Sequence, residues 1–475
     1  MHITRPLCAK GSIALALAMM PCFAMGQDQP ATRPATTDAE WRAEMERRMQ
    51  QLEQENRELR EKATRVADTQ QALIKEAEAQ GRLTIVEGGQ PRLTQPDWFD
   101  INKFASEGDW PGSIRIPKLN TSFQLGGFVQ LDATTDTDRI DNQDGFVVHS
   151  IETGASKTGA GDTNFSVRQT RLFFKTQTPT QNWGNLITYI ETDFFGTDGT
   201  EIRLRHAYGQ VGDKFQLLAG QTWSAFQDAS VFPASLDAQG PPGIITSRRP
   251  QLRVRQEWSK QWAGVLSVED PSSELTTPAG DVGFDSTPYP DLDGNVRWTP
   301  AWGHLQLAGV LRYLQFDPDV GSRASTMGYG LNLTGSVNTI KLDDKHIDSI
   351  LFQVAGGNGI ARYVNDTGGL GLDGVLAAPG AALDGLPLFA GVIAYQHWWH
   401  PKWGSTFAYS IVQVDNDSAQ VPGTYHSGQY VIMNIRYYPA ERVMLGFECL
   451  FGVRENNDGT SGDDLRLQFS AQYRF

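Results

Sequence analysis

The chain ends on a run in which every second side chain is apolar. Leu465, Leu467, Phe469, Ala471, Tyr473 and Phe475 alternate strictly with Arg466, Gln468, Ser470, Gln472 and Arg474. Successive side chains of an extended strand point to opposite faces, so this run is a strand with one greasy face and one polar or ionised face. Similar runs of about ten residues fill the chain from Thr121 onward, without any long helical period. Leu186, Thr188, Ile190, Thr192 and Phe194 oppose Glu191 and Asp193, while Ile202, Leu204 and Tyr208 oppose Arg203, Arg205 and Gly209. Val431, Met433, Ile435 and Tyr437 oppose Asn434 and Arg436, and Val443, Leu445, Phe447, Cys449 and Phe451 oppose Arg442, Glu448 and Arg454.

A soluble sandwich also alternates, so the direction of the apolar face has to be argued. Two features set it outward. Charged residues recur at strand centres on the polar face, and the strands are divided by alternately short and long gaps. The short gaps are 178–184, 212–214, 259–261, 300–303, 400–403 and 438–441; the long ones include 135–163, 226–250, 271–291 and 359–387. Short turns at one end and long loops at the other are the layout of an outer-membrane barrel. Counting runs gives about 16 strands, and roughly 22 residues per strand with its connection needs about 350 residues, which the segment supplies. An even count places both barrel ends on the periplasmic side. Trp298, Trp302, Trp398, Trp399, Trp403, Tyr437 and Tyr438 flank the short turns, where amphipathic rings suit the membrane interface. Closure then supplies every backbone hydrogen bond that lipid cannot, and makes the lumen the only wet compartment.

The first residues are of another kind. Residues 1–26, with His2, Arg5 and Lys10 ahead of an apolar run from Ser12 to Met25 and small residues at Ala24 and Gly26, read as a secretory signal peptide. Residues 38–80 are rich in Glu, Arg, Gln and Ala, with Met45, Leu52, Leu59, Val66 and Leu73 at intervals of seven, the d seam of a short α-helical coiled coil. Its a positions (Met49, Asn56, Ala63, Gln70, Ala77) are so polar that the alternative is a single solvated helix. Residues 81–112 read as a linker, and 113–475 as the barrel. The expected fold is therefore all-β, a 16-stranded antiparallel transmembrane β-barrel preceded by a short periplasmic coiled coil.

Composition closes other routes. A net charge of -14 with no basic stripe argues against nucleic acid as a partner, and Cys449, the one cysteine beyond the leader, has no mate for a bridge or metal site. His397 and His400 fall on opposite faces of a strand, so no metal or cofactor is expected there. The Asp-rich segments 132–144 and 415–417 are expected to be solvated loop charge rather than calcium sites.

The terminal Phe475, with Tyr473, Phe469 and Leu467 before it, resembles the C-terminal strand of bacterial outer-membrane proteins, which implies insertion through the barrel-assembly machinery and lipid and lipopolysaccharide as surroundings. More specific are Leu125-Gly-Gly-Phe-Val-Gln-Leu-Asp132, Arg168-Gln-Thr-Arg171, Tyr189-Ile-Glu-Thr-Asp-Phe-Phe-Gly196, Leu204-Arg-His-Ala-Tyr-Gly209 and Leu218-Ala-Gly-Gln-Thr-Trp-Ser224, in that order. Together with the helix ahead of them they resemble the DcaP-like family of trimeric porins. The resemblance implies a 16-stranded pore, a homotrimer, and passive diffusion of small anionic solutes such as dicarboxylates.

A porin is a hole of given width and field, so its functional residues are inward charges near the narrowest section. The long, proline-containing connection 226–250 is the candidate constriction. Behind it come Arg248, Arg249, Arg253 and Arg255, the last two on one face with Glu257 and opposite Leu252, Val254 and Trp258. Arg203 and Arg205 belong to the preceding hairpin. Such a cluster concentrates anions by focusing the field, and each guanidinium can bind both oxygens of a carboxylate. The competing reading is that these arginines neutralise lumen acids. The turn at Thr197-Asp-Gly199 sets Asp193 against Arg203 and Glu191 against Arg205, pairs that brace a barrel wall. Arg168 and Arg171, three apart on a strand, point to opposite faces, so one lines the lumen. The alternative function is an outer-membrane anchor with a coiled-coil tether. An enzymatic barrel lacks a nucleophile in a recognisable setting.

Overall fold

The computed structural model describes residues 38–79, 83–85, 91–93 and 106–475, the last without 155, 156, 158, 198 and 279–282. The expected signal peptide lies outside the described residues. The chain divides into two units, residues 1–99 and 100–475.

In the first unit, Asp38–Ala79 is one helix. Its Glu, Arg, Gln and Ala content favours helix, and no glycine or proline interrupts it. Met49, Leu52, Leu59 and Val66 are all more than half exposed in the single chain. Within the expected linker, Leu83–Ile85 pairs antiparallel with Pro91–Leu93.

The second unit is a closed antiparallel barrel of sixteen long strands. They are β1 (Thr121–Asp136), β2 (Arg171–Pro179), β3 (Asn185–Asp193), β4 (Arg203–Gly212), β5 (Phe215–Trp223), β6 (Arg248–Glu257), β7 (Trp262–Glu269) and β8 (Asp291–Trp298). Then follow β9 (Gly303–Pro318), β10 (Ala324–Lys341), β11 (Ile347–Asn358), β12 (Pro387–His400), β13 (Trp403–Val414), β14 (Tyr425–Ala440), β15 (Val443–Asn456) and β16 (Ser461–Arg474). The barrel closes where Arg466 to Arg474 pair with Asp136 to Phe128 of β1. A hairpin of Ser106–Glu107 and Ile114–Ile116 extends the wall below β1. Six of the seven tight turns at this end are the expected ones; the seventh, 342–346, joins β10 and β11.

The polarity of the wall follows the alternation. On β16, Leu467 and Phe469 are 38% and 45% exposed on the outside, whereas Arg466 and Ser470 are 0% exposed inside. Water cannot drive burial of a face that meets lipid, so the apolar side chains point out and the polar ones are gathered in. Aromatic rings cluster at the turn end, with Trp262 on Trp298 at 5.9 Å and Trp403 on Tyr437 at 4.3 Å.

Three expectations are corrected. A β-bulge in β4 pairs Glu191 with His206 and Thr192 with Leu204, leaving Arg205 extra. One added residue reverses the faces beyond it, so Tyr208 points inward, 5.7 Å from Tyr189, and Gly209 faces out. Second, Asp132 and Asp136 are buried wall residues of β1, not solvated loop charge; Asp136 receives two hydrogen bonds from Arg466, at 2.6 and 2.9 Å. Third, the lumen is not wet throughout. Phe226, Ile245, Ile360, Tyr363, Val364 and Leu372, all from loops, pack against inward Ala308, Val310, Leu388, Ala390 and Val412 of the wall. A second dry cluster joins Phe146, Val148 and Ile151 to Tyr430, Ile432 and Leu450.

Candidate functional site in the lumen

The connection 224–247 between β5 and β6 enters the barrel and is fastened along its length. A loop carries unsatisfied peptide groups, and in an enclosed space each must find a partner from the wall. Asn295 donates to the Ala225 carbonyl at 2.8 Å and Asn332 to that of Phe226 at 2.9 Å. The Asp228 carboxylate caps the short 3-10 turn Ala229–Val231 and meets His304 at 2.8 Å, Arg297 at 3.0 Å and the Thr334 hydroxyl at 2.8 Å. Burial would raise its pKa, but the hydrogen bond from His304 and the charge of Arg297, aided by Ser230, hold it well below the ordinary value.

Across the lumen, Glu448 of β15 accepts from the Ser235 hydroxyl at 2.7 Å and from the peptide N–H groups of Leu236 and Asp237 at 3.1 and 3.0 Å. Asp237 in turn accepts from the N–H groups of Phe146, Gln239 and Gly240. Burial raises its pKa in spite of these bonds. Gly243 donates to the Ser410 hydroxyl at 2.9 Å and its carbonyl accepts from Gln353 at 2.8 Å. A β-carbon on Gly243 would stand 2.1 Å from the Ile411 carbonyl oxygen, so only glycine lets the loop pass the wall this closely.

A second inward segment, 359–386, locks onto the first. Ile245 bridges Val364, and the Asn365 amide donates to the carbonyls of Gln239 and Pro241. Its wall anchor is Arg312, wholly buried between Asp291 at 3.0 Å and Asp373 at 2.9 Å.

Where the loop stands away from the wall, a cavity of about 480 Å³ remains. Its wall side carries Arg171, Arg203, Arg205, Arg248 and Trp223; its loop side carries Phe232, Pro233, Ser235, Asp237 and Gln239. A neighbouring cavity of about 740 Å³, lined by residues 141–144, His149 and Arg168, shares Gln239 and Asn365 with it.

The eight expected site residues fall into three groups. Arg203 donates to both oxygens of Asp193, at 2.9 and 2.7 Å, and Arg205 bridges Glu191 at 2.7 Å and Asp193 at 2.8 Å. These are the bracing pairs; the bulge changes the backbone partner of Glu191 without parting it from Arg205. Arg203 remains 41% exposed, Arg205 only 9%. Arg248 lies over the Trp223 ring at 4.8 Å and faces the cavity. Among the described residues no carboxylate comes within 4.0 Å of its guanidinium. Arg253 donates to the Trp223 carbonyl, and Arg255 pairs with Glu257 at 3.6 Å. Arg249 is set apart: 2% exposed, it stacks on Tyr363 at 4.4 Å and donates to the Asp270 carbonyl at 2.7 Å, so it props the second inward segment.

Both Arg168 and Arg171 reach the interior. Arg168 lies in a turn ahead of β2, so strand alternation does not apply; it donates to Asp144 at 2.6 Å and to the carbonyls of Phe194 and Gly196. Burial opposes ionisation of Asp144, but its bonds from Ser166 and Arg168 lower its pKa. Asp228, His304, Arg312 and Tyr363 were not singled out in the sequence, where their only signal is an inward strand position or a place within a long loop.

The family model described as DcaP outer membrane protein matches residues 101–475. Among solved structures, the chain is similar to the outer membrane channel DcaP of Acinetobacter baumannii, with 23% identity and a TM-score of 0.65 over 75% of this chain and 98% of that one. It is also similar to the anion-selective porin from Comamonas acidovorans, with 10% identity and a TM-score of 0.49 over 75% of this chain and 100% of that one. No curated protein sequence matches it.

Proposed function

Since the chain belongs to the DcaP outer membrane protein family and forms an outer-membrane channel, we propose that it passes small anionic hydrophilic solutes, dicarboxylates among them, by passive diffusion. The observation that carries this reading is the cavity beside the constricting loop. Four arginines and one aspartate line it, and Glu191 and Asp193 stand behind the arginines, so the local balance is 4 − 3, or +1, in a protein whose total is -14. Arg248 supplies the charge that no close carboxylate offsets, with Arg203 half-open beside it. Low-dielectric walls focus that field on the passage. Arg171, Arg253 and Arg255 extend the basic side of the wall.

Reversal potentials of the purified protein in planar bilayers, first in a chloride gradient and then in a dicarboxylate gradient, test this. Anion preference in both is expected; cation preference in both would end the reading. The dry loop clusters favour a second reading, a barrel serving as an anchor with little transport. The same bilayers would then show no ohmic current.

The assembly we propose is a homotrimer. Its support is the row of exposed Met49, Leu52, Leu59 and Val66 at coiled-coil spacing, which a bundle of three periplasmic helices would cover. Outer-membrane lipid and lipopolysaccharide would surround the apolar face, and the C-terminal strand would engage the barrel-assembly machinery.

A further inference from the structure

The basic wall carries a second feature that charge selection does not use. Starting at the cavity, Phe232 of the loop stacks on Trp223 with ring centroids 6.1 Å apart, and Trp223 meets His206 edge-on at 5.1 Å. His206 lies 6.0 Å from Tyr189, and Tyr189 contacts Tyr208 at 5.7 Å and Phe173 at 5.8 Å. Trp223 ends β5 at its loop side, Phe173 and His206 stand at one level on either side of Glu191, and Tyr189 and Tyr208 pair with each other two residues further from the loops. The rings therefore descend the lumen as a continuous row. The bulge in β4 makes this row possible, since without it Tyr208 would face lipid.

The row runs beside the arginines. Arg248 and Arg205 lie over the Trp223 ring at 4.8 and 5.9 Å; Arg205 is taken up by Glu191 and Asp193, whereas Arg248 keeps its edge for a carboxylate. Two polar groups of the same cavity keep capacity for a further hydrogen bond: the Ser247 hydroxyl, which accepts from Arg249 and donates to no group among the described residues, and the side-chain oxygen of Gln239, whose amide N–H groups go to Asn365. A site that brings rings, a guanidinium edge and open hydrogen-bonding groups together suits a solute with three matching parts. A linear dicarboxylate would leave the rings unused. A bare aromatic acid would desolvate the Ser247 hydroxyl and the Gln239 oxygen without pairing them, which costs affinity.

We infer that the passage selects anionic pyranoses, sugar acids of the uronate type, whose flat C–H face slides along the aromatic row while the carboxylate is handed along the arginines. This rests on the anion-channel reading above and narrows its solute class.

The test uses the full-length protein in planar bilayers, with transient block of the chloride current as the readout and three monovalent carboxylates as probes. Glucuronate has ring and hydroxyls, gluconate has hydroxyls without the ring, and benzoate has a ring without hydroxyls. The expected half-blocking concentration for glucuronate is roughly tenfold below that for gluconate and for benzoate, the order that one aromatic stacking contact supplies. Trp223→Leu, and separately Tyr208→Leu and the loop variant Phe232→Leu, should each bring the glucuronate to gluconate ratio to within about threefold. Any one of the three that inserts suffices for the comparison. Equal block by glucuronate and gluconate in the unmodified channel would overturn the inference, as would equal block by benzoate, or a ratio that survives all the variants. A cation-selective chloride reversal potential would instead remove the anion-channel reading and this inference with it.

Discussion

Arg248 is the residue on which charge selection should turn. Reversing it with Arg248→Glu removes one positive charge from the cavity and adds one negative charge, changing the lining balance from +1 to −1 by the count given above. For an anion passing about 6 Å from the side chain, Coulomb's law gives about 0.7 kcal/mol at a water-like dielectric and about 2.8 kcal/mol at an effective value near 20. Reversal doubles each figure, and a Debye length of about 10 Å roughly halves it again. For the anion the net change is about 0.8 to 3 kcal/mol, about fourfold to more than a hundredfold in its permeability, and the opposite change for the cation makes the fall in the anion to cation ratio larger still. The assay is the zero-current potential across a tenfold potassium chloride gradient, repeated at high salt, where screening should shrink the effect. A ratio altered by less than about twofold at low salt would show that ions pass elsewhere than beside Arg248.

Other substitutions separate bracing from conduction. Arg205→Ala strips the inner partner from two carboxylates and should cost about 3–5 kcal/mol, whereas Arg203→Ala, half-exposed and sharing Asp193, should cost about 1 kcal/mol; heat-induced mobility shifts on semi-native gels read the difference. Arg249→Gln should leave the zero-current potential in place and increase current noise, because that side chain supports a loop rather than the passage. Asp228 titrates below its ordinary value of 3.8 when the loop is docked, so its contribution is complete above about pH 4 and declines as pH falls through the acid range. Current noise should therefore rise near pH 3, and Asp228→Asn should show it already at neutral pH. Deleting residues 38–79 should alter trimer yield on cross-linking while preserving single-channel conductance; loss of conductance would place the helix within the conducting path.

What was legible in the sequence depended on what each face meets. On β16 the outward face is apolar and the inward face is made of polar side chains, so Leu465 to Phe475 announce both strand and direction. On β12 the pattern fails because Leu388 and Ala390 point inward to apolar loop residues, with Val392 buried on the same face, while Phe389 and Ile393 are exposed on the outside. Both faces are then greasy for different reasons, and the dry cluster inside could not be anticipated. The pairing of Arg203 with Asp193 follows from counting outward from a turn, but the same count misses the face of Tyr208, because an inserted residue leaves no mark in composition. Arg168 differs in another way: it sits where the backbone turns, and strand alternation does not hold there. Arg249 sits correctly in register, and what removes it from the passage is a ring, Tyr363, more than a hundred residues later.

An acidic protein can carry a basic passage because the two kinds of charge have different work. A loop brought into a barrel offers many peptide N–H groups, and the group that best receives several of them is a carboxylate; Glu448 on the wall and Asp237 on the loop each take at least two. The second segment is held by acids too, Asp291 and Asp373 meeting across Arg312. Docking thus uses up carboxylates on β8, β15 and the loops themselves, and these are lost to the field the solute feels. On β2 to β6 the loop stands off, leaving Arg171, Arg203 and Arg248 facing space. The sign of selection follows from which wall holds the loop. Releasing the loop at Glu448 with Glu448→Gln, without touching any arginine, should therefore weaken anion preference as well as widen the passage.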